Sequence, residues 1–316
     1  MDLTTGLRAV ATASGDDPVD WDAVAAAATS TTNPGSLSLS EQDRQGYAAD
    51  VRAARSAIRS LTDRSFTVPD TLEIQNRHHW IESNVETFQR AFEPLAEGHV
   101  SVHRVSRTIN TATAAGTLAY LARHVLGQYD PLLLADGDAS HELYFVHPNV
   151  VQAADRLEVE YPRFRRWIAF HEVTHAAEFG AAPWLSDHLS SRLHDAMEEL
   201  AHYDVPREAF AELNVAMTAV EGYAELLMDH AFDEEYADLR RKLDARRRSG
   251  GPLSQAIRRA LGFTLKRQQY ERGRAFFDVV AGARGIDGAG AVWDRPENLP
   301  TDEELDEPKR WLERVD

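Results

Sequence analysis

Cysteine is absent from the 316-residue chain. That excludes a disulfide scaffold, thiolate-ligated zinc, iron–sulfur clusters and thiol nucleophiles, so any metal must rest on His, Asp and Glu. Nor does any stretch approach the roughly 18 uninterrupted apolar residues that a membrane helix needs. The opening residues MDLTTGLRAVATASGDD lack the basic start and long apolar run of a secretory signal, so a cytoplasmic location is expected. Positive charge is in short supply: 34 Lys and Arg face 51 Asp and Glu, for a net charge of −17. Such a surface repels nucleic acid and anionic membrane, and neither is an expected partner. Lysine is scarcest of all, with only Lys242, Lys266 and Lys309 against 31 arginines. Acid excess with few lysines is the pattern of a halophilic protein, kept soluble in concentrated salt.

What is present is an apolar content of 43%, enough for a sizeable core. Residues 1–39 are rich in Ala, Ser, Thr, Asp and Gly, with one helical stretch at 21–29 and a breaker at Asn33-Pro34-Gly35. They read as a partly mobile N-terminal segment. From Ser40, a plausible N-cap, Tyr47, Val51, Ala54 and Ile58 are spaced for one buried helical face. Further helices are expected over 79–96, carrying Trp80, Val85, Phe88 and Phe92, and over 105–126, where small residues permit close helix approach. Two short apolar runs, 132–134 and 143–146, flank Asp136-Gly137-Asp138 and predict a β-hairpin within 131–151. The region 162–232 reads as helices, 246–252 as a charged glycine-containing loop, and 253–316 as a C-terminal helical part that is irregular over 286–299. The expectation is a mainly α (α+β) protein: one helical unit over 40–316, with a small hairpin or sheet beside the helix that carries the chemistry.

That helix contains Trp167-Ile168-Ala169-Phe170-His171-Glu172-Val173-Thr174-His175-Ala176-Ala177. His171 and His175, four apart, stand one turn above each other and can converge on one cation. Glu172 projects about 100° further round, where a carboxylate can reach a metal-bound water without ligating. This is the HExxH zinc signature. Glu172 is the only formally charged residue between Trp167 and Ala177, and a carboxylate on so apolar a helix calls for compensation.

A catalytic zinc usually takes a third protein ligand. The metzincin pattern needs Gly and His where Glu178 and Ala181 stand, so it fails. The gluzincin pattern needs a Glu on a later helix, followed four residues on by an acid that accepts a hydrogen bond from a ligating His. Glu221 and Glu225 supply this on a helical stretch at about 207–232, whose Phe210, Leu213, Val220 and Leu227 are expected to pack inward. Glu178, Asp187, His188 and His194 remain rival ligands.

The chain resembles a family of zincin-like metallopeptidases of unsettled substrate, some labelled coenzyme F-420 biosynthesis-associated. The resemblance includes Val19-Asp20-Trp21, 76–85 with Trp80, 126–130, 146–150, the stretch from His171 through Pro183-Trp184-Leu185, Glu221-Gly222, 269–273, and Val292-Trp293 leading to 297–300. It implies a gluzincin-like site with His171, His175 and Glu221 on zinc, and with the acid excess it suggests a haloarchaeal member. The family pattern carries His and Asp where this chain has Tyr223 and Glu225.

The expected activity is hydrolysis of a peptide or small amide with Zn2+ as cofactor, Glu172 as general base, and Glu225 orienting a ligating histidine. Strand 143–146, if it lies at a sheet edge, could pair with an extended peptide. Tyr144, His141, His147, Tyr203 and Tyr223 are candidate oxyanion donors. Two other classes compete: a non-catalytic protein with a structural metal, and a carboxylate-bridged di-metal bundle built on Glu172-x-x-His175 and Glu199-x-x-His202.

Overall fold

The computed structural model describes residues 3–11, 17–66, 69, 71–93, 104–130, 142–201, 207–232, 236, 238–242 and 263–315. Its helices are α1 (Leu3–Ala11), α2 (Trp21–Thr31), α3 (Glu41–Leu61), α4 (Arg77–Ala91), α5 (Arg104–Ala122), α6 (His147–Leu157), α7 (Tyr161–Ala181), α8 (Leu185–Ala201), α9 (Arg207–Ala231), α10 (Phe263–Ala289), α11 (Asp302–Asp306) and α12 (Pro308–Arg314). Three short strands, β1 (Leu72–Gln75), β2 (Gly127–Asp130) and β3 (Glu142–Val146), form one sheet. A mainly helical protein with a small sheet is what the sequence predicts.

The chain groups into two compact units: residues 1–39, 71–153 and 193–207 form the first, and 40–70, 154–192 and 208–316 the second. The expectation from sequence is a partly mobile segment 1–39 beside one unit over 40–316. Within the first unit, α2 packs through its apolar face. Val24, Ala27 and Ala28 are buried against Trp80 and Ile81 of α4 and against Ala115, Leu118, Ala119 and Ala122 of α5. Asp20 fixes the entry, accepting from the Ala23 N–H as N-cap while its own N–H donates to Thr111 Oγ1. The small residues of α5 do what they predict, letting α2 lie close.

In the first unit the strand order is β1-β3-β2. β3 runs parallel to β1, with Leu72 opposite Leu143, and antiparallel to β2, with Gly127 opposite Phe145. Strand 143–146 is therefore the central strand. Both its edges are used, and it cannot take up an extended peptide as an edge strand would. Its antiparallel partner is 127–130. The expected run 132–134 lies outside the described residues.

The second unit is built on α3 and α7. Ser40 caps α3 in a capping box with Asp43, and Tyr47, Ala54 and Ile58 are buried, as their spacing predicts. Across the interface Arg165 donates to Asp50 at 2.7 Å, with both side chains almost enclosed. Gly46 leaves room for this pair: a Cβ there would lie 2.3 Å from the guanidinium carbon of Arg165. On α9, Val220 and Leu227 are buried as expected, whereas Phe210 in its first turn is exposed. Towards the C-terminus α10 breaks at Gly285, whose φ of 75° suits glycine. Two 3-10 turns follow, Gly290–Trp293 and Pro296–Asn298. Trp311 of α12 closes the segment by donating to the Asn298 carbonyl and packing on Phe276.

Candidate metal centre

The central helix of the site, α7, begins with Pro162 in its first turn and ends where the Ala182 N–H returns to the Glu178 carbonyl. Phe164, Trp167, Ile168, Ala169, Phe170, Val173, Ala176, Ala177 and Phe179 are all buried. An apolar surface around nearly the whole circumference makes this a core helix. Its polar groups are therefore the features that need an account.

His171 and His175 bring their Nε2 atoms to 3.3 Å from each other. Glu221, on α9, brings Oε2 to 4.0 Å from each of these nitrogens. Among the described residues these three form the one group whose ligand atoms lie mutually close enough to hold a metal ion. A tetrahedral zinc with bonds of 2.0–2.1 Å separates its ligand atoms by about 3.4 Å. The two imidazoles already match that spacing, and the carboxylate needs to advance by only about half an ångström. Two neutral imidazoles and one carboxylate are also the donor set of a catalytic zinc that keeps a position open. The rings of His171 and His175 retain 13% and 14% exposure, so the ion would be reachable from solvent. The donors fit zinc.

Each ring is held in place. His171 lies parallel to the indole of Trp167 one turn back, with interplanar angle 6°. His175 donates from Nδ1 to Glu178 Oε2 at 2.8 Å, and Glu178 is 0% exposed. Burial pulls the His175 imidazolium down, but Glu178, its hydrogen bond and the charges of Glu221 and Glu172 outweigh this and hold it at about 9 in the metal-free protein. Burial likewise pushes the Glu178 carboxyl up to about 7, against the pull of His175.

Glu172 is buried beside His171, close enough for its charge to act on His175. Glu225 is buried as well, and its carboxylate receives Arg240, which also meets Asp229. A carboxylate that accepts from a histidine of the cluster is Glu178, where the expectation from sequence named Glu225. Glu178 is also excluded as a rival ligand, because it occupies Nδ1 of the ring whose Nε2 faces the site.

The other candidates have contacts of their own. His188 packs edge-on against Trp184, and burial followed by Arg192 lowers its pKa. His194 pairs with Glu198. Tyr223 is held between Phe277 and Trp293, and burial drives its hydroxyl to a higher pKa. Tyr144 and His147 belong to the first unit. His141, His202 and Tyr203 lie outside the described residues, and with His202 goes the second Glu-x-x-His pair of the di-metal alternative.

A family model described as zincin-like metallopeptidase matches residues 19–205 and 197–312. A crystal structure from Chloroflexus aurantiacus, described as a candidate hydrolase with a novel fold, is 28% identical, with TM-score 0.74 over 100% of this chain and 98% of that one. The search of curated proteins found no match.

Proposed function

Because the chain belongs to the zincin-like metallopeptidase family, we propose that it is a zinc-dependent hydrolase cleaving a peptide or small amide bond, with His171, His175 and Glu221 as ligands and Glu172 as general base. The observation that carries this reading is the meeting of the two imidazole Nε2 atoms and the Glu221 carboxylate at 3.3–4.0 Å. When bound, zinc supplies Lewis acidity toward the scissile carbonyl and acidifies water toward neutral pH.

The protein's own groups do the rest. Glu172, next to a ligand but turned about 100° away from it, takes the proton of the attacking water and passes it to the leaving amine. The apolar wall of α7 limits bulk water around that carboxylate and strengthens its electrostatic coupling to the site. His171, fixed by Trp167, and Glu221, carried on α9, would hold the ion together with His175.

Replacing Glu172 by Gln tests the assignment, since the ligands stay and the base is lost. The variant should bind one zinc per chain as the parent does while turnover of a peptide library falls by about 10²–10⁴-fold. Equal turnover by parent and variant would overturn the base role. A parent that holds zinc and cleaves neither peptides nor small amides would leave the metal as a structural element.

A further inference from the structure

The pattern of this zinc site expects the carboxylate that steadies a ligating histidine to come from the helix of the third ligand. Here Glu225 of that helix receives Arg240, and a different acid has taken the place at the ring. At about 100° per residue, His171, His175 and Glu178 fall within an arc of about 60° on one face of α7. Glu178 is three residues beyond His175, the spacing at which side chains on a helix meet. Its Oε2 accepts from Nδ1 at 2.8 Å, and the side chain is wholly enclosed. An enclosed carboxylate is costly unless charge or hydrogen bonds compensate it, and the partner of Glu178 in this cluster is the His175 ring.

We propose that Glu178 is the positioning residue of the metal centre: by holding Nδ1–H of His175 it fixes the tautomer and the ring plane that present Nε2 to the ion. One helix then carries two ligands, the base and the support of a ligand, as a His-Glu-x-x-His-x-x-Glu unit, and α9 contributes only Glu221. A carboxylate behind a ligating imidazole raises its basicity and fixes its orientation, and loss of such a partner typically costs 10–100-fold in metal affinity. The inference rests on the zinc reading above, but its readout is metal affinity and ring state rather than turnover.

The test uses the full chain, titrated with zinc against a chromophoric chelator. Glu178→Gln keeps the shape and an acceptor oxygen but loses the charge, and is expected to weaken zinc binding about 10–100-fold. Glu178→Asp, whose shorter side chain cannot reach Nδ1 at 2.8 Å, should lose at least as much. Nitrogen-15 NMR of the zinc-loaded parent, with histidine labelled, supplies a measurement independent of any variant. His175 should show a protonated, hydrogen-bonded Nδ1 and a metal-bound Nε2, and in Glu178→Gln the Nδ1 proton resonance should move upfield. Zinc affinity within threefold of the parent in both variants would overturn the proposal, as would a parent spectrum with the proton on Nε2 and the metal on Nδ1. A parent that binds zinc with the expected ring state yet hydrolyses nothing would sink the hydrolase reading and leave the role of Glu178 standing.

Discussion

Gly222 and Gly273 meet backbone to backbone where α9 crosses α10. A Cβ on Gly222 would lie 2.4 Å from the carbonyl carbon of Gly273, and one on Gly273 would lie 2.2 Å from the Thr218 carbonyl oxygen. Both obstacles are main-chain atoms, so neither can rotate away. Gly222 directly follows Glu221, the proposed third ligand, and the crossing therefore fixes the height and rotation of α9 at the candidate metal centre. Gly273→Ala is expected to cost about 1–3 kcal/mol by thermal or urea unfolding and to weaken zinc binding along with it. Gly282→Ala, further along α10 where an added Cβ meets nothing within 4 Å, should be neutral or stabilise by up to about 1 kcal/mol. Equal effects at the two positions would remove the crossing from the account of the site.

Glu221→Ala addresses the third ligand directly. Zinc affinity should fall well beyond the roughly 10–100-fold that loss of an outer partner costs, while the secondary structure seen by circular dichroism stays unchanged. Undiminished affinity would move the third ligand elsewhere.

In the metal-free protein the centre should be a source of pH-dependent stability. His175 is raised from 6.5 to about 9 and Glu178 from 4.5 to about 7. Between its unfolded and folded values each group holds more proton in the native state, so stability falls as pH rises. The His175 contribution is full below about pH 6.5 and gone above about 9; that of Glu178 is lost between about 4.5 and 7. The melting temperature of the metal-free protein should therefore drop from mildly acidic to alkaline pH. Zinc requires a neutral imidazole, so its apparent affinity should climb by up to tenfold per pH unit until about pH 9. A flat apparent affinity across pH 6–9 would show that His175 enters the complex already neutral.

The parts of this protein legible from sequence are those fixed by periodicity within one helix. His171, Glu172 and His175 need only the four-residue turn, and Tyr47, Ala54 and Ile58 only a buried stripe. Glu221 was within reach because it sits on a helix with its own apolar face. Glu178 carried a signal too, its three-residue distance from His175, but the same spacing serves a ligand or a supporting acid, and only ring geometry separates them. Glu225 is expected from its spacing to orient a ligating histidine, whereas the structure pairs it with Arg240, 15 residues on, a contact that no helical spacing signals. Non-local pairing defeated the rest. β1 is four residues long and joins β3 in parallel from 71 positions upstream, and the docking of α2 depends on faces of α4 and α5 that sequence spacing cannot match to it. Phe210, apolar and in register, is exposed because it lies in the first turn of α9.

The Arg165–Asp50 pair supports the frame behind the site. Arg165 stands six residues before His171 on α7, and its guanidinium lies over the rings of Tyr47 and Tyr161 while donating to Asp50. Arg165→Met strands a buried carboxylate and should cost about 3–5 kcal/mol. Adding Asp50→Leu to that variant should recover most of the loss, since an apolar pair of similar volume often replaces a buried ion pair at little cost. A double variant no better than the single one would mean that packing against the tyrosines, not charge, holds α3 to α7.

Salt dependence closes the link between composition and stability. With a net charge of −17 and three lysines, the folded chain carries a self-repulsion that unfolding relieves. Raising KCl from about 0.1 M to about 1 M shortens the screening length from roughly 10 Å to roughly 3 Å. The repulsive part should then vanish and the melting temperature rise. Exposed ion pairs such as Arg310–Glu303 weaken over the same range, but surface pairs contribute about 0–1 kcal/mol each, and the carboxylate excess outweighs them. Replacing exposed acids with their amides should shrink the rise in melting temperature in proportion to the charge removed. A melting temperature unchanged from low to molar KCl would mean that the acidic surface carries no adaptation to concentrated salt.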